Sequence, residues 1–223
     1  MITAARLRLV PRYARTATAM VPAQTLPAAL ALLAAVRRGA DHLDSIEVLF
    51  PEALRLAATH LGRAVPVPVA DEGCAVIVEC AAQVDPTEEL AAILDGIDGL
   101  GDCPVVTDAA DRQSLTAFRD QVTESIAAES RRIGTPAFKL DVAVPAAALA
   151  DLLEAAERAA RRDGCRLIPF GHLAEGNIHL NYLGAREPER IAESVLGAVA
   201  TLGGTISAEH GIGKHKAKYL YVQ

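Results

Sequence analysis

Short strand-like segments alternate with helical patterns along this chain, and that alternation limits the fold more than any other feature of the sequence. Alternating or β-branched runs bounded by Pro, Gly or Asp predict strands. They cover residues 5–10, 16–21, 45–50, 75–80, 138–144, 166–170 and 177–183. Apolar residues at helical spacing predict helices between these strands. The helices cover residues 27–38, 51–61, 87–94, 111–132, 146–162 and 189–202.

The order strand, helix, strand recurs with short links, and residues 169–176 between the last two strands have the character of a hairpin loop. Hairpins join antiparallel neighbours, whereas a doubly wound parallel sheet needs a crossover between its strands. We therefore predict an α+β fold, in which a largely antiparallel sheet is flanked by helices in ferredoxin-like strand-helix-strand units. Residues 1–223 form one domain in this prediction.

Composition argues against several classes of function. The hydrophobic content of 51% is sufficient for a large core. A formal net charge of -6 argues against a nucleic-acid partner, because phosphate binding requires a basic surface. The longest apolar run, residues 28–36, is nine residues long, and a membrane-spanning helix needs about 20. The sequence therefore predicts a globular protein with no transmembrane segment.

The spacing of the cysteines and the absence of nucleotide-binding motifs further limit the functions that the sequence allows. The four cysteines show neither CxxC spacing nor a dense framework, which predicts reduced thiols and a cytoplasmic protein. The N-terminal arginines and the apolar run after them also suggest a secretion signal, but a helix capped by Thr25 explains the same residues better. No GxGxxG or GxxxxGK[ST] motif occurs, so a nucleotide cofactor would have to be bound by another domain.

Two polar clusters stand out near the end of the chain, GHLAEGNIH at residues 171–179 and SAEHGIG at residues 207–213. They contain three of the six histidines, and glycines that permit tight turns accompany them. His172 and His179 can converge if a loop folds back over the last strand, and Glu209 is then a suitable third ligand for a divalent metal. His210 has the character of a base beside that metal, because an imidazole can accept a proton at neutral pH.

Less specific interpretations of the same residues remain open at this point. Histidines near a strand are frequently structural, Glu175 can be a solvated loop acid, and Arg119 can be an ordinary charge on a helix surface. His42, His60 and His215 are assigned to the surface, and the remaining polar residues near the C-terminus can form the exposed face of a short helix. These residues are Lys214, Lys216 and Lys218.

The sequence GHLAEGNIHLN, followed about 30 residues later by GGTISAEHGIGKHKAKYL, closely resembles the C-terminal, substrate-side domain of the FAD-linked oxidases of the vanillyl-alcohol oxidase type. Within them the sequence is nearest to the D-lactate, glycolate and D-2-hydroxyglutarate dehydrogenases, which show GHxGDGNxHxN and SxEHGxGxxKxxYL. The resemblance extends more loosely over the whole chain from the strand predicted at its N-terminus.

This resemblance implies roles for individual residues. His172 and His179 match two histidine metal ligands, Glu209 matches a carboxylate ligand, and His210 matches the catalytic base. Asn177 matches an active-site amide that faces the substrate.

Three further residues match positions that bind the substrate carboxylates, namely Arg119, Thr123 and Lys139. Arg119 and Thr123 would share one face of a single helix. Their match is shorter than that of the histidines, and the interval between Thr123 and Lys139 is longer than the pattern leads us to expect.

The chain also departs from the pattern. Ala174-Glu175 replaces the frequent Gly-Asp, and both the flavin-binding domain and the extreme C-terminal segment of the resembled proteins are absent, so the chain is expected to be one domain of a larger protein. The resemblance implies an FAD-dependent dehydrogenase or oxidase of a D-2-hydroxy acid. FAD would be bound by the missing domain. A divalent metal, with zinc as the first candidate, would be bound by this chain. A homodimer is compatible with the sequence.

Two other functions fit the same residues. One is a metal-dependent hydrolase in which His210 moves protons, and the other is a non-catalytic metal-binding module.

Overall fold

The computed structural model describes residues 3–9 and 11–222, without the side chains of Lys214, His215, Tyr221 and Val222. The strands are β1 Arg15–Ala23, β2 Leu43–Leu49, β3 Cys74–Ala82, β4 Val105–Val106, β5 Phe138–Ala143, β6 Arg166–His172 and β7 Asn177–Leu183. The helices are α1 Leu26–Gly39, α2 Pro51–Leu61, α3 Thr87–Asp95, α4 Ala109–Asp120, α5 Val122–Ile133, α6 Leu149–Asp163, α7 Pro188–Thr201 and α8 Gly213–Lys216. Two 3₁₀ helices are also present, Ala146–Ala148 and Ala217–Val222.

Seven strands form one sheet in the order β4-β1-β3-β2-β6-β7-β5. The paired strands run antiparallel, which confirms the predicted α+β class. The first four strands have the ferredoxin-like order 4-1-3-2. The second half repeats this order, because Thr205 bridges to Ala143 where a fourth strand would lie. The two halves meet where β2 pairs with β6.

The sheet has a different set of helices on each face. Helices α1, α3, α6 and α7 cover one face, over a core that includes Leu32, Leu90, Leu152 and Val195. Helices α2, α4 and α5 cover part of the other face. Ile168 of β6 and Leu183 of β7 still belong to this second core. The polar residues of the chain's two clusters lie on the same face, nearer the turn between β6 and β7 and beside β5.

Local signals in the sequence place several helix ends. Thr25 accepts a hydrogen bond from the backbone N–H of Ala28 at 3.3 Å and so caps α1, as predicted. Gly164 ends α6 in the left-handed conformation, with φ of 78°. All four cysteines are free, and no helix among the described residues is both long and apolar enough to cross a bilayer.

Two predictions of secondary structure were wrong, and one short strand was missed. Residues 5–9 form no strand, since no neighbouring strand pairs with them, and Val10 lies outside the described residues. The single helix predicted over residues 111–132 is divided at Gln121 into α4 and α5, because α4 packs on the sheet while α5 packs against α2. The two-residue strand β4 was not predicted.

Candidate metal centre and active site

The hairpin of β6 and β7 positions both histidines of the first cluster. His172 is the last residue of β6 and pairs with Asn177, while His179 pairs with Phe170, so both imidazoles lie on the face of the sheet opposite α6 and α7. The turn is shorter than predicted, because β6 continues to His172. Gly176 adopts φ of 63°, and a Cβ atom there would lie 2.0 Å from the carbonyl oxygen of Val144. Glycine is therefore required at this position of the turn between β6 and β7.

His172 is oriented by a carboxylate from the neighbouring half of the sheet. Its Nδ1 atom lies 2.9 Å from Oε1 and 2.8 Å from Oε2 of Glu47, which is 5% exposed on β2. This hydrogen bond raises the pKa of His172 above its ordinary value, although partial burial opposes the change. Nε2 of His172 is therefore the nitrogen that faces the rest of the site.

His179 has a similar arrangement with Asp141 of β5, which is opposite it in the sheet. Nδ1 of His179 lies 3.3 Å from Oδ1 of Asp141. Burial lowers the pKa of His179, and the neighbouring Asp141 carboxylate only partly offsets this effect. Carboxylates behind two histidines are the usual second layer of a metal site, because they hold the proton on Nδ1 and leave Nε2 free to ligate.

Glu209 and His210 belong to the loop between α7 and α8, which crosses the edge of the sheet beside β5. The backbone N–H groups of Glu209 and His210 donate to Oδ2 of Asp141 at 2.7 and 3.0 Å. Burial of Asp141 favours its neutral form, but these two donors and His179 outweigh it, so the pKa of Asp141 is below its ordinary value. Gly211 follows with φ of 72°, which turns the chain after His210 as predicted.

Three potential ligand atoms converge at this point. One atom each of His172, His179 and Glu209 lie within 4.8 Å of one another. The two Nε2 atoms are 3.4 Å apart, and Oε1 of Glu209 is 3.4 Å from Nε2 of His172. Two imidazoles and a carboxylate form a donor set that suits zinc and other divalent metals and leaves positions open for water or substrate. The residues therefore fit a divalent cation.

A cavity of about 420 Å³ opens beside this cluster, and His210, the base predicted from the sequence, lines it. The ring of His210 stacks against that of His179 with centroids 5.7 Å apart, and both rings line the cavity. Lys139, Lys216 and Thr123 line the same cavity. Nζ of Lys216 donates to the backbone oxygen of Asp141 at 2.8 Å, and burial lowers the pKa of this lysine.

A second cavity, of about 590 Å³, lies on the other side of His172 and is mainly acidic. Its charged residues are Arg37, Asp41, Asp44, Glu47, Glu175 and Glu209. Glu209 lines both cavities, of which the first contains two lysines and two carboxylates and the second five carboxylates and one arginine. The first cavity is therefore the less acidic of the two, and an anion is repelled by the second.

The sequence matches a family model described as FAD linked oxidases, C-terminal domain, over residues 12–223. The chain belongs to this family. A D-lactate dehydrogenase of Archaeoglobus fulgidus is 28% identical over 99% of this chain and 48% of its own length. A mitochondrial D-2-hydroxyglutarate dehydrogenase of Rattus norvegicus is 28% identical over 80% of this chain and 34% of its own length. This FAD-linked oxidase domain thus spans less than half of either relative.

The fold of the domain is also similar to a solved structure, the 4-ethylphenol oxidase of Gulosibacter chungangensis. The two superpose with a TM-score of 0.62 at 16% sequence identity, over 92% of this chain and 47% of that protein. The resemblance to the FAD-linked oxidases is therefore confirmed in both sequence and fold.

The structure of the FAD-linked oxidase domain brings together most of the residues singled out in the sequence, but two of them do not line the 420 Å³ cavity. Arg119 is absent from the wall of the 420 Å³ cavity. Its guanidinium contacts Glu47 at 3.3 Å and Asp120 at 2.8 Å. Asn177 is 2% exposed, does not line the cavity, and its amide has no hydrogen-bond partner among the described residues.

Sequence reasoning missed four residues of the site. Glu47 and Asp141 lie in strands far from either cluster, and only the register of the sheet reveals their proximity. Asn181 lines the cavity and is two residues beyond His179, so strand alternation already places it on the same face. Lys216 was assigned to an exposed helix face, yet its side chain is half-buried against β5. Lys218 is exposed, as predicted, and Lys214 and His215 have no described side chains.

Proposed function

We propose that this chain is the substrate-binding domain of an FAD-dependent dehydrogenase or oxidase that converts a D-2-hydroxy acid into the 2-oxo acid. The observation that carries the proposal is the convergence of His172, His179 and Glu209 beside His210, at the wall of a cavity that also contains two lysines. D-lactate, glycolate and D-2-hydroxyglutarate are the substrates to test first.

His172, His179 and Glu209 would hold a divalent ion, with zinc as the first candidate. A bound divalent ion supplies Lewis acidity, which makes the proton of an alcohol easier to remove. Glu47 and Asp141 hold the two imidazoles with their Nε2 atoms toward the shared point. The chain's own contribution is therefore a preformed set of ligand atoms.

The cavity beside His210 would bind the carboxylate of the substrate. Lys139 and Lys216 supply positive charge at its wall, and the hydroxyl of Thr123 can donate a hydrogen bond to a carboxylate oxygen. The acidic cavity on the other side of Glu209 repels the same anion, so the substrate enters from the His210 side.

His210 would remove the proton of the substrate hydroxyl. Its ring lies at the wall of the cavity next to His179, and its backbone is anchored to Asp141. The reaction also needs an acceptor for the hydride that leaves the substrate carbon, and FAD supplies this acceptor when bound. The chain contains no dinucleotide motif, so we assign FAD binding to a domain outside these residues.

The proposal is tested by assaying dye reduction with the three 2-hydroxy acids, using both the 223-residue chain alone and the same chain joined to its flavin-binding domain. We expect turnover only when the flavin domain is present, and only with the D enantiomer of the chiral acids. Turnover by the chain alone, without flavin, would contradict the proposal. Hydrolysis of ester or amide substrates by the zinc-loaded chain would favour the hydrolase alternative.

A further inference from the structure

We propose that Asp141 is a positioning residue that joins the two parts of the metal site, the histidine on the sheet and the loop that carries Glu209 and His210. This inference rests on the proposed function, since it concerns the metal ligands named there. It adds a residue that lies outside the two long sequence motifs and that is not one of the converging ligands.

The two carboxylate oxygens of Asp141 have different partners. Oδ2 accepts the backbone N–H groups of Glu209 and His210, at 2.7 and 3.0 Å. Oδ1 is buried, has no hydrogen bond among the described residues, and lies 3.3 Å from Nδ1 of His179. A small rotation of the imidazole would align this contact as a hydrogen bond. One carboxylate therefore faces both a sheet ligand and the backbone of a loop ligand.

The contact with Oδ1 determines which nitrogen of His179 carries the proton. A carboxylate accepts hydrogen bonds and cannot donate them when ionised, so it favours the tautomer with the proton on Nδ1. The lone pair of Nε2 then faces Nε2 of His172, 3.4 Å away. The opposite tautomer would place a proton on Nε2 and prevent it from ligating a metal.

Glu47 provides an internal comparison. It orients His172 through Nδ1 in the same manner, and its other side-chain partner among the described residues is Arg119. No hydrogen bond of Glu47 to the loop of Glu209 is found among the described residues. Of the two carboxylates, Asp141 therefore has the geometry that can set both the tautomer of a ligand and the position of the loop.

The decisive variant is Asp141→Asn in the 223-residue chain. The asparagine oxygen can still accept the two backbone N–H groups of the loop, but its NH₂ group then faces Nδ1 of His179. An NH₂ donor favours the tautomer with the proton on Nε2. The matched control is Asp163→Asn, because Asp163 also accepts two backbone N–H groups, those of Arg186 and Glu187, at a distant surface.

Two measurements are made on each protein. The first is the zinc dissociation constant, from competition with a chromophoric chelator. The second is the tautomer of His179 in the metal-free protein, from long-range ¹H–¹⁵N NMR spectra at about pH 8, where free imidazole is neutral. We expect Asp141→Asn to weaken zinc binding about 10- to 100-fold and to move the proton from Nδ1 to Nε2. Asp163→Asn should match the wild type in both.

Wild-type zinc affinity in Asp141→Asn would overturn the inference, and so would weaker zinc binding without a change of tautomer. The NMR measurement needs no metal. If the wild-type chain bound no zinc, the metal site of the proposed function would fail, while the tautomer of His179 would still decide the role of Asp141.

Asp141→Glu is the second variant, needed if the asparagine form does not fold. It keeps an acceptor for His179 but displaces the carboxylate by one methylene group. We expect the Nδ1 tautomer to persist while the backbone amides of Glu209 and His210 exchange faster with solvent. Unchanged amide exchange in this variant would contradict the positioning of the loop by Asp141.

Discussion

Nε2 of His172 and Nε2 of His179 lie 3.4 Å apart, and the other nitrogen of each ring faces a carboxylate. If both rings carry their proton on Nδ1, two lone pairs face each other at this distance. Such an arrangement is repulsive unless a cation or a proton lies between the two nitrogens. We therefore expect a divalent ion bound between these nitrogens to stabilise this region of the fold.

Zinc is expected to raise the thermal unfolding temperature of the wild-type chain. A ligand that binds only the folded state at 100 times its dissociation constant stabilises that state by about 2.7 kcal/mol. The double variant His172→Ala, His179→Ala should show no such increase, because two of the three ligands are removed. Differential scanning fluorimetry with and without a chelator measures the difference.

The control for this prediction is His60→Ala, which removes an exposed histidine at the end of α2. It should respond to zinc as the wild type does. An equal response of the double variant would mean that zinc binds somewhere else on the chain.

Much of the fold could be predicted from the sequence because its strands and helices have strong local patterns. The bounds of α2 and β7 were predicted to the residue, and Thr25 and Gly164 act as the expected caps. The break at Gln121 could not be predicted, because no proline or glycine marks it. It arises from the different packing partners of α4 and α5, which local sequence does not encode.

The site was predictable only where its residues are close together in sequence. His172, His179, Glu209 and His210 belong to two short motifs, whereas Glu47 and Asp141 reach the site through strand pairing. Arg119 illustrates the same limit. Its spacing from Thr123 predicted a shared helix face, but the helix break separates them and Glu47 is the partner that the structure provides.

His210→Asn should reduce kcat of the flavin-containing protein about 10²- to 10⁴-fold, which is the usual contribution of general base catalysis. The zinc affinity should stay close to that of the wild type, because His210 is not one of the converging ligands. Steady-state kinetics and chelator competition on the same preparation separate the two effects. A parallel loss of zinc would instead identify His210 as a ligand. His60→Asn is the matched surface control.

Lys216→Met should raise KM for the 2-hydroxy acid about 10- to 100-fold, since a hydrogen bond to a charged group contributes about 1.5–3 kcal/mol. Lys216 lines the cavity beside His210 and is half-buried. Lys218→Met, two residues further on, removes an exposed lysine and should leave KM unchanged. Equal KM values for the two variants would place the substrate carboxylate elsewhere.

Arg166→Met should make the protein less stable at neutral pH and reduce its sensitivity to acid. Arg166 on β6 bridges two carboxylates from different helices, with Nε 3.0 Å from Glu52 and Nη1 2.9 Å from Glu129. Arg132 and then Arg166 lower the pKa of Glu129 from 4.5 to about 2. Partial burial of Glu52 opposes its ionisation, but Arg166 and Arg55 outweigh it and lower its pKa.

Both pKa values are lower in the folded state, so these ion pairs contribute fully above pH 4.5 and lose their contribution as the pH falls toward 2. Urea unfolding at a series of pH values should therefore show a smaller decrease for Arg166→Met than for the wild type in this range. Arg190→Met removes an exposed pair with Glu187 and should follow the wild type. Identical pH profiles for all three proteins would refute the prediction.

Gly171→Ala should destabilise the hairpin and weaken zinc binding together. A Cβ atom at residue 171 would lie 2.2 Å from the backbone oxygen of Asn177 and 2.9 Å from Cα of Ile178. Backbone atoms cannot move aside as a flexible side chain can, so β6 and β7 must separate at the residue that precedes His172. Overpacking of this kind costs about 1–3 kcal/mol.

Gly197→Ala is the matched control, because nothing lies within 4 Å of its added Cβ in α7, and alanine in a helix interior is favoured by about 1 kcal/mol. In urea unfolding without metal, the free energy of unfolding should therefore be lower than that of the wild type for Gly171→Ala and higher for Gly197→Ala. Only Gly171→Ala should bind zinc more weakly. Wild-type stability of Gly171→Ala would contradict this prediction, because it would show that β6 and β7 can move apart without a loss of stability.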